Sequence, residues 1–341
     1  MSTTQQLRSI GIWLLVLSLM VAGFAALING GEDPTITLQI FSTRFLGIFI
    51  EAVPFLLMGS FVSGLLEVFV TREDIVRWIP RNPILATIAG AFMGFAFPVC
   101  ECGVVPVTRR LFSKGLPMSV GVAFLLAAPV MNPIVLVSTY IAFGWGEVLI
   151  LRFVITAVVA IGVGVLFAVS ARPYDILRPV SLAPIYGGDH RQRDVEIALH
   201  TPPPLLRRLE RATLVAGNEF FEMGRFLVVG SLLAAGMQTV VAQETLISLG
   251  SGPLISVLVM QLLAFVLSVC STVDSFLALA FYGTFTGGSI VAFLTFGPMV
   301  DIKSTMMFAG VFRPKVVLYL VVLPFLMTML IGLWLNLFMS F

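Results

Sequence analysis

Apolar runs long enough to cross a bilayer, about 20 residues each, are centred in 10–29, 42–70, 118–143, 150–170, 217–242, 288–311 and 316–339. This pattern predicts an all-α polytopic membrane protein with about seven full spans. Two further stretches, 83–117 and 252–287, fit poorly. The first is too long for one span and short for two, and it is interrupted by Pro98, Gly103 and Pro106. A helix from Pro83 to Phe97 would be about 22 Å long at 1.5 Å per residue, short of the ~30 Å hydrocarbon core. Two re-entrant, broken-helix hairpins are therefore expected, with Cys100 and Cys102 at the tip of the first.

Composition agrees with the pattern: 58% of the 341 residues are hydrophobic and 11% charged, against about 25% charged in soluble domains. The mean hydropathy is +1.04. Net charge is only +2, which gives no nucleic-acid footprint. The placement of the charges is more telling. Arg72, Arg77 and Arg81 fall in one loop, Arg109, Arg110 and Lys114 in another, and Arg313 and Lys315 in a third. The long segment 171–212 adds seven arginines, whereas 30–40, 144–149 and 243–253 hold no Lys or Arg. By the positive-inside rule the basic loops are cytoplasmic. That puts the amino terminus inside and the carboxyl terminus outside, with both hairpins returning to the side they came from. The first apolar segment lacks a small-residue cleavage pattern and reads as a retained span. His190 and His200 sit among acids in the 171–212 connector, where a solvated linker is the plain reading and a metal-sensing loop the alternative.

The chain repeats itself. Glu51-x-x-x-Phe55-Leu56-x-x-Gly59-Ser60 recurs as Glu222-x-x-x-Phe226-Leu227-x-x-Gly230-Ser231, Val99-Cys100 as Val269-Cys270, and Val122-Ala123-Phe124-Leu125 as Val291-Ala292-Phe293-Leu294, at offsets of 169 to 171. The expected organisation is an extra amino-terminal span over 1–30, a first repeat over 41–170, a cytoplasmic linker over 171–212 and a second repeat over 213–341. The charge-derived orientation makes the repeats inverted. Inverted repeats with broken helices build secondary transporters whose substrate site lies at the repeat interface near the midplane.

Ionisable groups and thiols are costly in hydrocarbon unless paired, hydrated or engaged with a ligand. Cys100, Glu101 and Cys102 at the first hairpin and Cys270 and Asp274 at the second are therefore candidate substrate-binding residues. Residues two apart diverge on a helix, so Cys100 and Cys102 converge only where the backbone is extended or turned. Three thiolates from Cys100, Cys102 and Cys270 would suit thiophilic ions as metal ligands. Cys270 alone reads better as a small buried hydrophobe. Pro129-Val130-Met131-Asn132-Pro133 and Gly297-Pro298-Met299-Val300-Asp301 interrupt two other spans at matched places, which makes Asn132 and Asp301 candidate polar ligands. Glu51, Glu222 and Lys303 are proton-coupling candidates, although Glu222 with Arg225 and Asp301 with Lys303 are also spaced to pair. No Gly-rich nucleotide loop is present and no cofactor is expected.

With Pro98-Val99-Cys100-Glu101-Cys102-Gly103-Val104-Val105-Pro106, Arg109-Arg110 and Ala128-Pro129-Val130-Met131-Asn132-Pro133-Ile134, the chain resembles the bacterial predicted-permease family that includes the ArsP and YraQ proteins. The resemblance implies a multi-pass permease of the bacterial plasma membrane. For the arsenical-exporting branch it implies efflux of trivalent organoarsenicals through thiols, a role that would fall here on Cys100 and Cys102. It also implies, for some members, a second small membrane protein associated with metal homeostasis. The leading expectation is a non-enzymatic secondary carrier in the lipid bilayer for a small inorganic or organometalloid species, with a homo-oligomer left open. The alternatives are a scaffold subunit and a membrane thiol oxidoreductase.

Overall fold

The computed structural model describes residues 34–80, 82–97, 99–170, 205–240 and 252–338. The described residues form thirteen helices and no strand. A first series comprises α1 (Pro34–Phe69), the short α2 (Arg72–Trp78), α3 (Pro83–Ala96), α4 (Glu101–Ser113), α5 (Met118–Ala127), α6 (Pro133–Phe143) and α7 (Glu147–Ser170). A second comprises α8 (Leu205–Val240), α9 (Pro253–Leu267), α10 (Asp274–Phe281), α11 (Gly287–Met299), α12 (Ile302–Val311) and α13 (Pro314–Phe338). Five stretches of the described residues, with α11 and α12 taken as one, are long and apolar enough to cross a membrane. The span expected over 10–29 and the histidines of the connector lie outside the described residues.

The breaks follow from local chemistry. The span expected over 118–143 is two helices of 10 and 11 residues, because Pro133 cannot continue a helix but suits its first turn. Asn132 closes the new amino terminus by accepting a hydrogen bond from the Ile134 N–H at 2.9 Å. The matched break in the second series ends α11 at Met299 and restarts at α12. There Asp301 Oδ1 accepts from the Ser304 N–H at 2.6 Å and Ser304 Oγ accepts from the Asp301 N–H at 2.9 Å, a reciprocal cap.

Both hairpins form as the pattern predicts. Asn82 caps α3 through the Ile84 N–H, α3 runs 14 residues, and Cys100 has extended backbone before α4 begins. In the second hairpin Ser268 ends α9 in the left-handed region, with φ of 48°. The Cys270 carbonyl then accepts from the N–H groups of Val273 and Asp274, opening α10.

Helices α1 and α8 have 36 residues each and lie antiparallel: Arg208 donates to the Val68 carbonyl at 3.1 Å, while at the other end Arg44 donates to the Gln238 carbonyl. These first long helices of the two series thus run in opposite directions. Helix α8 starts at Leu205, inside the segment expected to be linker up to residue 212. Three of the arginines that suggested a loop, Arg207, Arg208 and Arg211, lie on its first turns, and the Arg208 guanidinium sits 4.7 Å over the Phe69 ring.

Each series stacks its own helices, α3 on α5 and α7, and α9 on α11 and α13. The α1/α8 pair packs against α4 and α12. Small residues allow the approach: a Cβ added at Gly59 would lie 2.4 Å from the Gly103 Cα, and one at the matched Gly230 would lie 2.9 Å from the Lys303 Cα.

Candidate functional site

Four half-length helices, α4, α6, α10 and α12, begin where the hairpin tips and the helix breaks come together. Their amino termini bring positive dipole ends to this place. The sequence supplies matching acids at three of these termini: Glu101 and Asp274 in the first turns of α4 and α10, and Asp301 as the cap of α12.

Extended backbone at Cys100, followed by the first turn of α4, lets the two thiols of the first hairpin turn toward each other. The Cys100 thiol lies within short electrostatic range of both Cys102 and Cys270. The Cys270 sulfur also accepts from the Thr272 hydroxyl at 3.6 Å. All three thiols are free. Beside them Lys303 Nζ lies 3.5 Å from Glu101 Oε1 and 3.6 Å from Asp301 Oδ2. Exposure across this set is between 1% and 5%, so a cation here is retained only because carboxylates face it. Glu101 Oε2, Asp301 Oδ2 and the Ser271 hydroxyl are buried and make no hydrogen bond. Among the described residues no group of three or more His, Cys, Asp or Glu side chains is arranged to hold a metal ion.

The other candidate residues are only partly brought to this centre. Asn132 is buried and caps α6. Glu51, half-buried on α1, is within electrostatic reach of Cys270 and Lys303. Glu222 is 4.0 Å from Arg225, the spacing foreseen from sequence, but its closer partner is Arg109 of α4 at 2.8 Å. Asp274 is engaged by Arg152 of α7, with Nη2 to Oδ2 at 2.6 Å and Nη1 to Oδ1 at 3.1 Å. The same Nη1 donates to the hydroxyls of Thr139 and Ser275, each at 2.8 Å.

Arg152 and Glu219 escaped the sequence reading. Arg152, 1% exposed, ties α7 of the first series to α10 of the second. Glu219, fully buried, accepts from Ser63 and lies 3.6 Å from Arg110. Each is a charge carried within an apolar span, which is itself a signal in a membrane protein.

These features define a multi-pass membrane protein with a buried, mixed-charge centre assembled from two inverted helix series, the build of a permease. The sequence model of the ArsP_1 family, described as a predicted permease, matches residues 37–337. The chain belongs to this family. It is 42% identical over 279 residues to the UPF0718 protein YcgR of Bacillus subtilis, covering 81% of this chain and 90% of that protein. It is 39% identical over 279 residues to a "putative two-component membrane permease complex subunit" of Streptococcus mutans, covering 81% and 88%. A shorter match, 27% identical over 89 residues and 26% of each chain, joins it to the UPF0718 protein YraQ of Escherichia coli. No solved structure matches.

Proposed function

We propose that this permease is a secondary carrier that exports a thiophilic metal or metalloid species, such as a trivalent organoarsenical, across the bacterial plasma membrane. The observation that carries the proposal is the meeting of Cys100 and Cys102 from one series with Cys270 from the other, sealed from solvent beside the Glu101–Lys303–Asp301 group. Soft thiol ligands select soft ions. A thiol must lose its proton to bind such an ion, so loading releases protons into a site that already holds two carboxylates and an amine. Glu51 and Glu222 stand on the two long helices as routes for those protons, which supports exchange of substrate against protons.

The name of the Streptococcus mutans relative favours one addition: the carrier works with a second membrane subunit. The membrane orientation that fits export has the basic segments on the cytoplasmic side, including Arg109, Arg110 and Lys114, which the structure places on the carboxyl-terminal end of α4 and not in a loop.

The test uses everted vesicles with phenylarsenite, zinc and copper(I) supplied in turn, with and without a pH gradient. Wild type should accumulate at least one of these, and C100S/C102S should lose that uptake while remaining folded in detergent. Undiminished uptake by the double variant would exclude the thiol site. A scaffold subunit would show no uptake of its own but would keep partner binding in the same variant.

A further inference from the structure

The α1/α8 pair covers only one end of the centre. It packs on α4 and α12, which start at the centre and run to one side, and it leaves α6 and α10, which start there and run to the other, without such cover. The repeat offsets convert this difference into residue pairs. On α8, Gly230 lies against Lys303 and Met306 of α12, and the Phe226 ring lies against Gly310, 2.6 Å from where a Cβ would stand. Subtracting 171 on α8 and 169 on α12 gives the counterparts Gly59 with Ile134 and Val137, and Phe55 with Ile141.

In this structure those counterparts are apart. Gly59 and Phe55 lie instead on Gly103 of α4, while Ile134, Val137 and Ile141 are 51%, 56% and 65% exposed. Lys303, the counterpart of Ile134, is 1% exposed. The vacant face is also concave. Leu136, Val137 and Tyr140 of α6 and Leu149 and Phe153 of α7 line an almost wholly apolar groove of about 740 Å³. Val137, in its wall, matches Met306, which α8 covers.

We infer that this groove is a second seat for α1, occupied when the permease opens to the other side. In the exchange α1 leaves α4 for α6 and α8 leaves α12 for α10, so the two ends of the centre trade cover. Inverted repeats make the two arrangements near-equivalent in packing, which is what alternating access around a fixed midplane site requires. The same smooth faces serve both seats: Gly59 and Gly230 present no side chain to lock either helix in place. An apolar lining suits a lipid chain and a helix alike. The inference does not depend on what is carried.

The test is oxidative cross-linking in native membranes, read by mass spectrometry of disulfide-linked peptides. F226C/G310C reports the observed seat and F55C/I141C the second one. Both pairs should give product, with F55C/I141C rising and F226C/G310C falling when the pH gradient across the vesicle is reversed. V137W, which fills the groove while leaving the observed packing intact, should abolish the F55C/I141C product and drive F226C/G310C to completion. The second seat is excluded if F55C/I141C yields no product under either gradient in protein that elutes as a folded species. If that pair does not fold, V137W decides alone: an unchanged, incomplete F226C/G310C yield would equally exclude it.

Discussion

Lys303 Nζ lies 3.5 Å from Glu101 Oε1, joining the first turn of α12 to the first residue of α4 and so the second helix series to the first. Both side chains are almost wholly buried, and Asp301 completes the group at 3.6 Å. In such a setting the ion pair is a condition of burial, since either partner left alone is an uncompensated charge.

K303M therefore strands two carboxylates. It should destabilise the detergent-solubilised protein by about 3–5 kcal/mol, seen as a lower Tm, and E101Q in the same chain should recover part of the loss. The coupling between the two substitutions is the quantity to measure, by a double-mutant cycle. Strictly additive effects would mean that the pair does not act as a unit.

The Arg152–Asp274 clamp makes the same argument for the other end of the centre. R152M leaves Asp274 facing only hydroxyls and should cost about 3–5 kcal/mol, whereas R152M/D274N should be markedly less destabilised than R152M. If Asp274 served the substrate more than the fold, the double variant would recover stability without recovering uptake. Thermal unfolding and vesicle uptake on the same two variants separate these outcomes.

Gly59 and Gly224 are both helical glycines in contrasting surroundings. A Cβ at Gly59 meets the backbone of Gly103 at 2.4 Å, while one at Gly224 finds nothing within 4 Å. G59A should force α1 off α4 and lower the Tm. G224A should be neutral or stabilising by about 0.5–1 kcal/mol, the helix-propensity difference.

How far the sequence reached can be judged from these residues. Asn132 and Asp301 stood out in the sequence as polar residues at proline-bearing breaks inside apolar spans and were read as candidate ligands; in the structure they cap α6 and α12. The Cys100–Glu101–Cys102 tip was legible because thiols and an acid beside Pro98 and Gly103 have no place in an ordinary span. Arg152 was not, since a single arginine near the start of a strongly apolar run looks like a flanking charge until its distant partner, 122 positions away, is known. Glu222 was seen but given its neighbour on the helix, because spacing reveals i,i+3 candidates and not Arg109, 113 positions earlier. The start of α8 was misread for a related reason. Arg207, Arg208 and Arg211 resemble a linker, yet a helix extending beyond the apolar layer carries charge without breaking, and Arg208 finds the end of α1 there.

The short helix α2 lies outside the apolar spans and offers a local pH effect. The Asp74 carboxyl accepts from the Thr71 hydroxyl at 2.7 Å and from the Thr71 N–H at 2.9 Å, and these bonds hold it below the usual carboxylate range. A depressed acid stabilises above its unfolded pKa and loses that contribution as pH falls through the folded value. Amide exchange in α2 should therefore quicken only below about pH 4. T71A should remove most of that acid dependence, and a dependence unchanged in T71A would contradict the assignment.

Everything said about the centre rests on Cys100 of the first series lying beside Cys270 of the second, and one measurement addresses that proximity without any assumption about the substrate. With a protease site inserted in the 171–204 connector, membranes are oxidised with copper phenanthroline, cleaved and run on a non-reducing gel. The two halves should remain joined in the wild type and separate in both C270S and C100S/C102S. Separation of the halves in the oxidised wild type would contradict a shared thiol centre.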